Sequence, residues 1–232
     1  MSSLAQRVLQ AYGGESRWRS ATAVEAEVSS GGWAFRLKRQ PALRQLRVRA
    51  EVAEPRVRFG PLNGAGHTGV LFGHDVHIED AGGQVLDRRF KASQYFAHPR
   101  RWLWWDALDQ AYFAGYALWN YLTFPALLLR DDVRWLEKPG TSLAACFRSH
   151  LPTHCPIQRF HFDPATFLLK QHDYTAEVFG SWAKAANQVL AHATWQGLPY
   201  ASKRRVTPRR RDGRARRFPV LVWIEVHEWR LV

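Results

Sequence analysis

The sequence predicts a mainly β (α+β) protein. Its core is a single, highly curved antiparallel sheet of about eleven strands, an open half-barrel, with an N-terminal helix and a central helical insert packed on the concave face. Three observations carry this. From Thr22 to about Phe90, and again from Val133 to the end, apolar and charged residues alternate with period two, as in strands with one face in water. Residues 91–130 lose the alternation and read as helix. The chain shows no strand–helix–strand rhythm and no fixed-period repeat, and no internal linker suggests a second domain, so residues 1–232 are read as one.

The elements follow in order. Leu4, Val8 and Leu9 share one face of a helix over about Ser3 to Tyr12, and Gly13-Gly14 stops it. A second turn around Glu15 to Arg19 directs Trp18 inward. The segments VEAEV, WAFRLKR, LRQLRVRAEV and PRVRF then alternate, with Val24, Val28, Phe35, Leu37, Leu46, Val48 and Phe59 toward the core. VLF (70–72), DVHIED (75–80) and QVLDRRF (84–90) are strands joined by turns at Gly73-His74 and Ala81-Gly82-Gly83. In the insert, Asp106 is the expected N-cap of ALDQAYFAGYALWNYL, and Pro125 kinks the helix or starts a new one ending near Arg130. VRWLEK, LAACFRSHL, IQRFHFD, FLLKQHDYTAEV, QVLAHATW, YASKRRVTP and PVLVWIEVHEWRLV complete the sheet.

The segment YFAGYALWNYLTFPALLL (112–129) has no charge, in a chain of formal net charge +13. Its length approaches that of a membrane span. Asp109, Gln110, Asn120, Thr123 and Pro125 load it with polar and helix-breaking groups, and spanning would divide one sheet between two sides of a bilayer. A helix that is apolar nearly all round must be buried nearly all round, which one sheet achieves by curling about it. Gly115, beside Ala114 and Ala117, permits close approach. Asp109, Tyr112, Tyr116, Asn120 and Thr123 recur at three- and four-residue spacing and share a face. They form either a buried hydrogen-bond network that orients the helix or a polar rail along a greasy pocket. Tyr112, Tyr116, Trp119, Asn120, Thr123 and Trp105 are the candidate ligand contacts. Of the three tryptophans in RWLWWD (Trp102, Trp104, Trp105), at least one is expected at a pocket mouth or on the surface.

No phosphate loop, HExxH, CxxC pair or GxSxG elbow occurs, and no cofactor is implied. His74 and His77 would face opposite sides of a strand, so no metal site is expected. On FLLKQHDYTAEV, His172 and Tyr174 share a face and Asp173 takes the other, with His161 on the preceding strand. If the shared face is concave, His172, Tyr174 and Asp109 could form an acid–base set. A satisfied, semi-buried histidine is the alternative reading.

Residues 203–217, KRRVTPRRRDGRARR, hold more than half of the net charge in a basic hairpin of about 200–219. Arg204, Arg205, Arg209, Arg210 and Arg211 are the candidate contacts for phosphate or an anionic membrane surface. A solvated loop explains the run as well. It lacks interleaved aromatics and any nucleic-acid motif, which argues against sequence-specific nucleic acid. Cys146 and Cys155, the only cysteines, are expected as thiols in a reducing compartment, with a bridge closing a hairpin as the alternative. The N-terminal residues do not read as a signal peptide, and a cytoplasmic location is expected.

The opening AQRVLQAYGGESRWRSATAVEAEV is similar to the start of proteins of the lipoprotein-carrier (LolA/LolB-like) superfamily: a helix, a Gly-Gly stop, a tryptophan, then the first strand. FDPATFLLKQHDYTAEVFG and ATWQGLPYASKRRV also resemble that superfamily, and YFAGYALWNYLT resembles the signature of a bacterial group within it that carries no known activity. The resemblance implies an open half-barrel whose concave side is closed by helices and binds acyl chains or another hydrophobic molecule. The sequence departs from that pattern, reading with neither a secretion signal nor a lipid-anchor cysteine, so lipoprotein traffic across the periplasm is not the expectation. The expectation is a cytoplasmic binding protein for a lipid-like or polycyclic small molecule. The alternatives are a cofactor-free isomerase, cyclase or dehydratase in the same pocket and, third, a peripheral membrane protein acting through the Arg-rich hairpin.

Overall fold

The protein is described by a computed structural model covering residues 2–62 and 66–232. Helices α1 (Ser3–Ala11) and α2 (Glu15–Ser20) open the chain, followed by β1 (Ala23–Gly31), α3 (Trp33–Leu37) and β2 (Leu43–Glu51). Next come β3 (Arg56–Leu62), β4 (His67–Phe72), β5 (Asp75–Glu79) and β6 (Val85–Arg89). A 3-10 turn at Ala92–Ala97 leads to α4 (Arg100–Leu103) and α5 (Ala107–Leu122), and a further 3-10 turn at Ala126–Leu129 closes the insert. The remaining strands are β7 (Val133–Lys138), β8 (Ser142–Phe147), β9 (Ile157–Phe162), β10 (Leu169–Thr175), β11 (Lys184–Trp195), β12 (Leu198–Pro208) and β13 (Val222–Leu231).

All thirteen strands form one antiparallel sheet in the order β6-β5-β4-β3-β2-β1-β13-β12-β11-β10-β9-β8-β7. Every neighbour is a hairpin partner except β1 and β13, whose pairing joins two meanders at the centre, Val24 opposite Leu231 and Gly31 opposite Trp223. The sheet does not close: β6 and β7 are its two edges.

The count is thirteen rather than about eleven. One segment departs from expectation. WAFRLKR forms α3 instead of a strand, since Gly32, at φ 131°, turns the chain out of the sheet and the Trp33 and Ala34 amides donate to Val220 and Leu221 carbonyls. Residues two apart lie on nearly opposite sides of a helix. Phe35 is therefore buried while Leu37 is exposed, contrary to the alternating pattern. The other core positions, Val24, Val28, Leu46, Val48 and Phe59, are buried.

The start of α5 is fixed electrostatically. Asp106 caps the helix and forms a reciprocal capping box with Asp109. Arg89, at the end of β6, bridges Asp106 (2.7 Å) and Asp109 (2.5 Å), and Arg101 from α4 bridges the same two carboxylates (3.1 and 2.9 Å). From there α5 crosses β3, β4 and β5, and a Cβ built on Gly115 would lie 2.9 Å from the Leu71 Cβ. Further along, the Trp119 indole donates to the Glu51 carbonyl (3.0 Å). Thr123 Oγ1 donates to the Trp119 carbonyl (2.7 Å), and Asn120 Nδ2 donates to the Tyr116 and Pro152 carbonyls. The polar stripe thus mostly orients the helix. No helix among the described residues is long and apolar enough to cross a membrane.

Two outcomes follow for variants read by denaturant melts. Gly115→Leu drives a side chain into β4 and lowers stability by about 2–3 kcal/mol. Asp109→Ala leaves Asp106 as the one carboxylate bridging both Arg89 and Arg101, removes half of the capping box, and costs about 2–3 kcal/mol.

Candidate functional site

Two spaces and one polar junction adjoin the insert: a groove between it and the segments 147–156 and 177–180, and a small cavity between α5 and the concave face. The larger space is a groove with about 500 Å³ open to the centre of a water-sized sphere. Its apolar wall includes Phe96, Trp102, Tyr112, Phe147, Leu151, Val178 and Phe179, and its polar groups include His74, Ser93, His154 and Glu177. Trp102 is 69% exposed at this groove, whereas Trp105 is buried against Phe96, Phe113 and Phe179. The RWLWWD segment thus splits between mouth and core. The smaller space, about 40 Å³ by the same measure, lies between α5 (Phe113, Ala114, Ala117, Leu118, Tyr121) and strands β1, β2, β12 and β13. It is large enough for water but not for a chain.

The junction joins them. His154, in the loop between β8 and β9, is in the groove wall, and its Nε2 lies 2.7 Å from the hydroxyl of Tyr121, which is in the wall of the small cavity. Tyr121 also meets the Tyr174 hydroxyl at 2.9 Å. The His154 ring stacks on Tyr174 with centroids 3.7 Å apart. Beside them His172 stacks on Phe160 (4.0 Å) and its Nε2 donates to Gln158 Oε1 (2.6 Å). Tyr12 reaches in from α1, its hydroxyl accepting from the Leu169 amide at 3.1 Å.

Burial sets the protonation of this cluster. It lowers His154 to about 3 and holds His172 well below the usual imidazole range, with the neighbouring His154 and Arg204 adding to the effect at His172. It pushes Tyr12 and Tyr121 up to about 12 and Tyr174 well above its usual value. At neutral pH every member is uncharged except Arg204.

The residues singled out in the sequence separate into groups. His172 and Tyr174 do share the concave face, and Asp173 faces outward, paired with His161 (3.0 Å) and Arg209 (3.2 Å). The structure does not bring Asp109 to them: it sits in the Arg89–Arg101 network, twelve residues or about 18 Å of helix from Tyr121. Tyr112 lines the groove and contacts His74 Nδ1 at 2.9 Å. Trp105, Tyr116, Trp119, Asn120 and Thr123 are buried and line neither space.

The basic hairpin divides as well. Arg204 is not on the surface: it is 5% exposed and on the inner face, two residues from inward-facing Val206. Arg205 and Arg209 are half-buried, and Arg210 and Arg211 are exposed. The hairpin tip folds back on the outer face, where Gln171 Nε2 donates to the Gly213 carbonyl (3.1 Å). Both cysteines are free thiols. Sequence reasoning missed His154, Tyr121, Gln158 and Asn187. Only the rhythm of β12 could have signalled that Arg204 joins them.

No family model and no curated protein sequence matches the chain. Solved structures do. A DUF1329 family protein from Desulfovibrio piger aligns at TM-score 0.54 and 12% identity over 99% of this chain and 92% of that one. An outer membrane lipoprotein-sorting protein domain from Vibrio parahaemolyticus aligns at TM-score 0.51 and 13% identity, over 98% and 90%. A LolA superfamily protein from Nitrosomonas europaea gives TM-score 0.51 and 9% identity, over 100% and 94%. The chain has the LolA-like fold.

Because His154 and His172 are neutral when folded and titrate near 6.5 when unfolded, their contribution is complete above about pH 6.5 and is lost as pH falls toward their folded values. Each adds a slope of about 1.4 kcal/mol per pH unit in that window. Denaturant melts between pH 7.5 and 4.5 should show the decline, and His154→Gln should flatten it by about one proton's worth.

Proposed function

We propose that the protein binds a hydrophobic, lipid-like small molecule between the curved sheet and the insert. The groove of about 500 Å³ carries this reading. Its size is in the range of small-molecule sites, and its walls are mainly aromatic and aliphatic with a few convergent polar groups. The fold it shares with a lipoprotein-sorting domain and a LolA superfamily protein supports a hydrophobic cargo. A cytoplasmic setting belongs to the same proposal, supported by the two free thiols.

Binding is favoured over turnover by the protonation of the junction. An imidazole lowered so far by burial accepts a proton reluctantly, and phenols raised by burial release one reluctantly. With Asp109 held elsewhere, no carboxylate among the described residues is hydrogen-bonded to the His154 or His172 ring.

Titration of the delipidated protein with an uncharged phenylnaphthylamine, read by its fluorescence, should give saturable one-to-one binding. Trp102→Ala, at an exposed position that leaves the core intact, should weaken it about tenfold. Absence of saturation would remove the proposal, and an unchanged affinity in the variant would move the site away from the groove.

A further inference from the structure

Arg204 is a buried cation with no anion. It projects from β12 onto the concave face, and its guanidinium carbon lies 4.9 Å from the centre of the Tyr121 ring. The ionisable side chains that sense its charge are the phenols of Tyr121, Tyr12 and Tyr174 and the imidazoles of His172 and His192, none of them an anion. Among the described residues no carboxylate bridges it, and Nη1 is buried without a hydrogen bond. Most other buried charges in the chain are neutralised: Asp109 by two arginines, Asp173 by Arg209 and His161, Glu79 by Arg58. A guanidinium cannot escape the cost by losing its proton.

A second orphan stands beside it. Asn187, on β11 opposite His172 and Val206, is fully buried, and neither its amide nitrogen nor its oxygen is hydrogen-bonded. Both residues face the junction, where His154 divides the groove from the small cavity. His154 Nδ1 is itself buried without a partner, so one hydrogen bond, to Tyr121, holds the ring's polar edge.

From this arrangement we infer that the ligand is an amphiphile with a single carboxylate, whose head is bound by Arg204 with Asn187 and Tyr121 while its chain lies in the groove. The inference rests on the hydrophobic-ligand reading and adds the head group to it. A monoanion fits better than a phosphate dianion, because it leaves the buried pair with no net charge. The paired N–H donors of the Arg204 guanidinium match the two carboxylate oxygens, with the unpaired Asn187 amide and the Tyr121 hydroxyl as further donors. The chain reaches the groove when the His154 ring turns aside.

The test compares hexadecanoic acid with hexadecanol, which differ in the head group alone, on delipidated wild type, Arg204→Met and Arg204→Lys, by displacement of the uncharged fluorescent probe. Wild type should bind the acid at least a hundredfold more tightly than the alcohol. Arg204→Met should lose that preference while keeping its affinity for the alcohol, Arg204→Lys should retain part of it, and millimolar acetate should not compete. Without ligand, Arg204→Met should melt several degrees higher than wild type, since it removes an uncompensated charge. Equal binding of acid and alcohol by wild type, or a preference that survives in Arg204→Met, overturns the carboxylate inference and leaves the hydrophobic-ligand reading standing. Failure of both lipids to displace the probe, or to bind at all, overturns both. Competition by acetate shows an anion site that needs no chain and overturns the amphiphile.

Discussion

The open sheet leaves its two edges, β6 and β7, at opposite ends of thirteen strands, yet they are consecutive in the chain. Whatever joins them has to travel from one end of the sheet to the other. Crossing the concave side sets the composition of the crossing segment, because a polypeptide laid over an apolar face must itself be apolar and must satisfy its own backbone, as a helix does. The sixteen residues of α5 span about 24 Å in this role. The strand that launches the crossing also anchors it: Arg89, the last residue of β6, holds both carboxylates at the helix start. A long apolar segment between two runs of strands becomes intelligible once the topology demands a crossing.

The two ends of α5 meet different surroundings. At its start, two aspartates and two arginines neutralise one another and the capping box accounts for the exposed amides. Its middle packs tightly on β4, with Gly115 as the point of contact. Near its end, Tyr121 enters a cluster that is polar, buried and incompletely bonded: His154 Nδ1, both Asn187 amide atoms and Arg204 Nη1 have no partner. Native cores rarely leave such groups unpaired, and the exceptions concentrate at sites with a task. The contrast within one helix separates a network of paired charges from an incompletely paired one.

Much of this was legible in the sequence. Alternation identified every strand that formed, and the gap in it located the insert. The N-cap at Asp106 and the close approach at Gly115 were both readable from local chemistry. The misreading of WAFRLKR has a physical cause: one turn of alternation is too short to tell strand from helix, and Gly32 decides it. Arg204 is the instructive case. Its charge placed it with the surface arginines, whereas the period-two rhythm of β12, with Val206 facing inward, placed it inside. Rhythm was the better guide. His154 was not legible at all, because its position depends on the loop from β8 to β9 folding back across the concave face.

The site also constrains how a ligand could enter. Free volume at the small cavity is too little for a chain, so uptake requires something to move. α5 is a poor candidate, since its start is held by four ion pairs, its middle by the Gly115 contact and its end by Trp119 on the Glu51 carbonyl. The backbone around residue 154 is also tied: Asn120 Nδ2 donates to the Pro152 carbonyl, and the Glu177 amide donates to that of His154. The His154 side chain is what remains. It has one hydrogen bond, the stack on Tyr174 and further ring contacts with Phe113, Tyr116, Tyr121 and His172 to lose, a cost of about 2–5 kcal/mol that a buried ion pair formed at Arg204 would have to offset. In the proposed binding mode, access to the interior would be coupled to the head group of the ligand, and a purely apolar molecule, able to fill the groove, would have no comparable means of opening the junction.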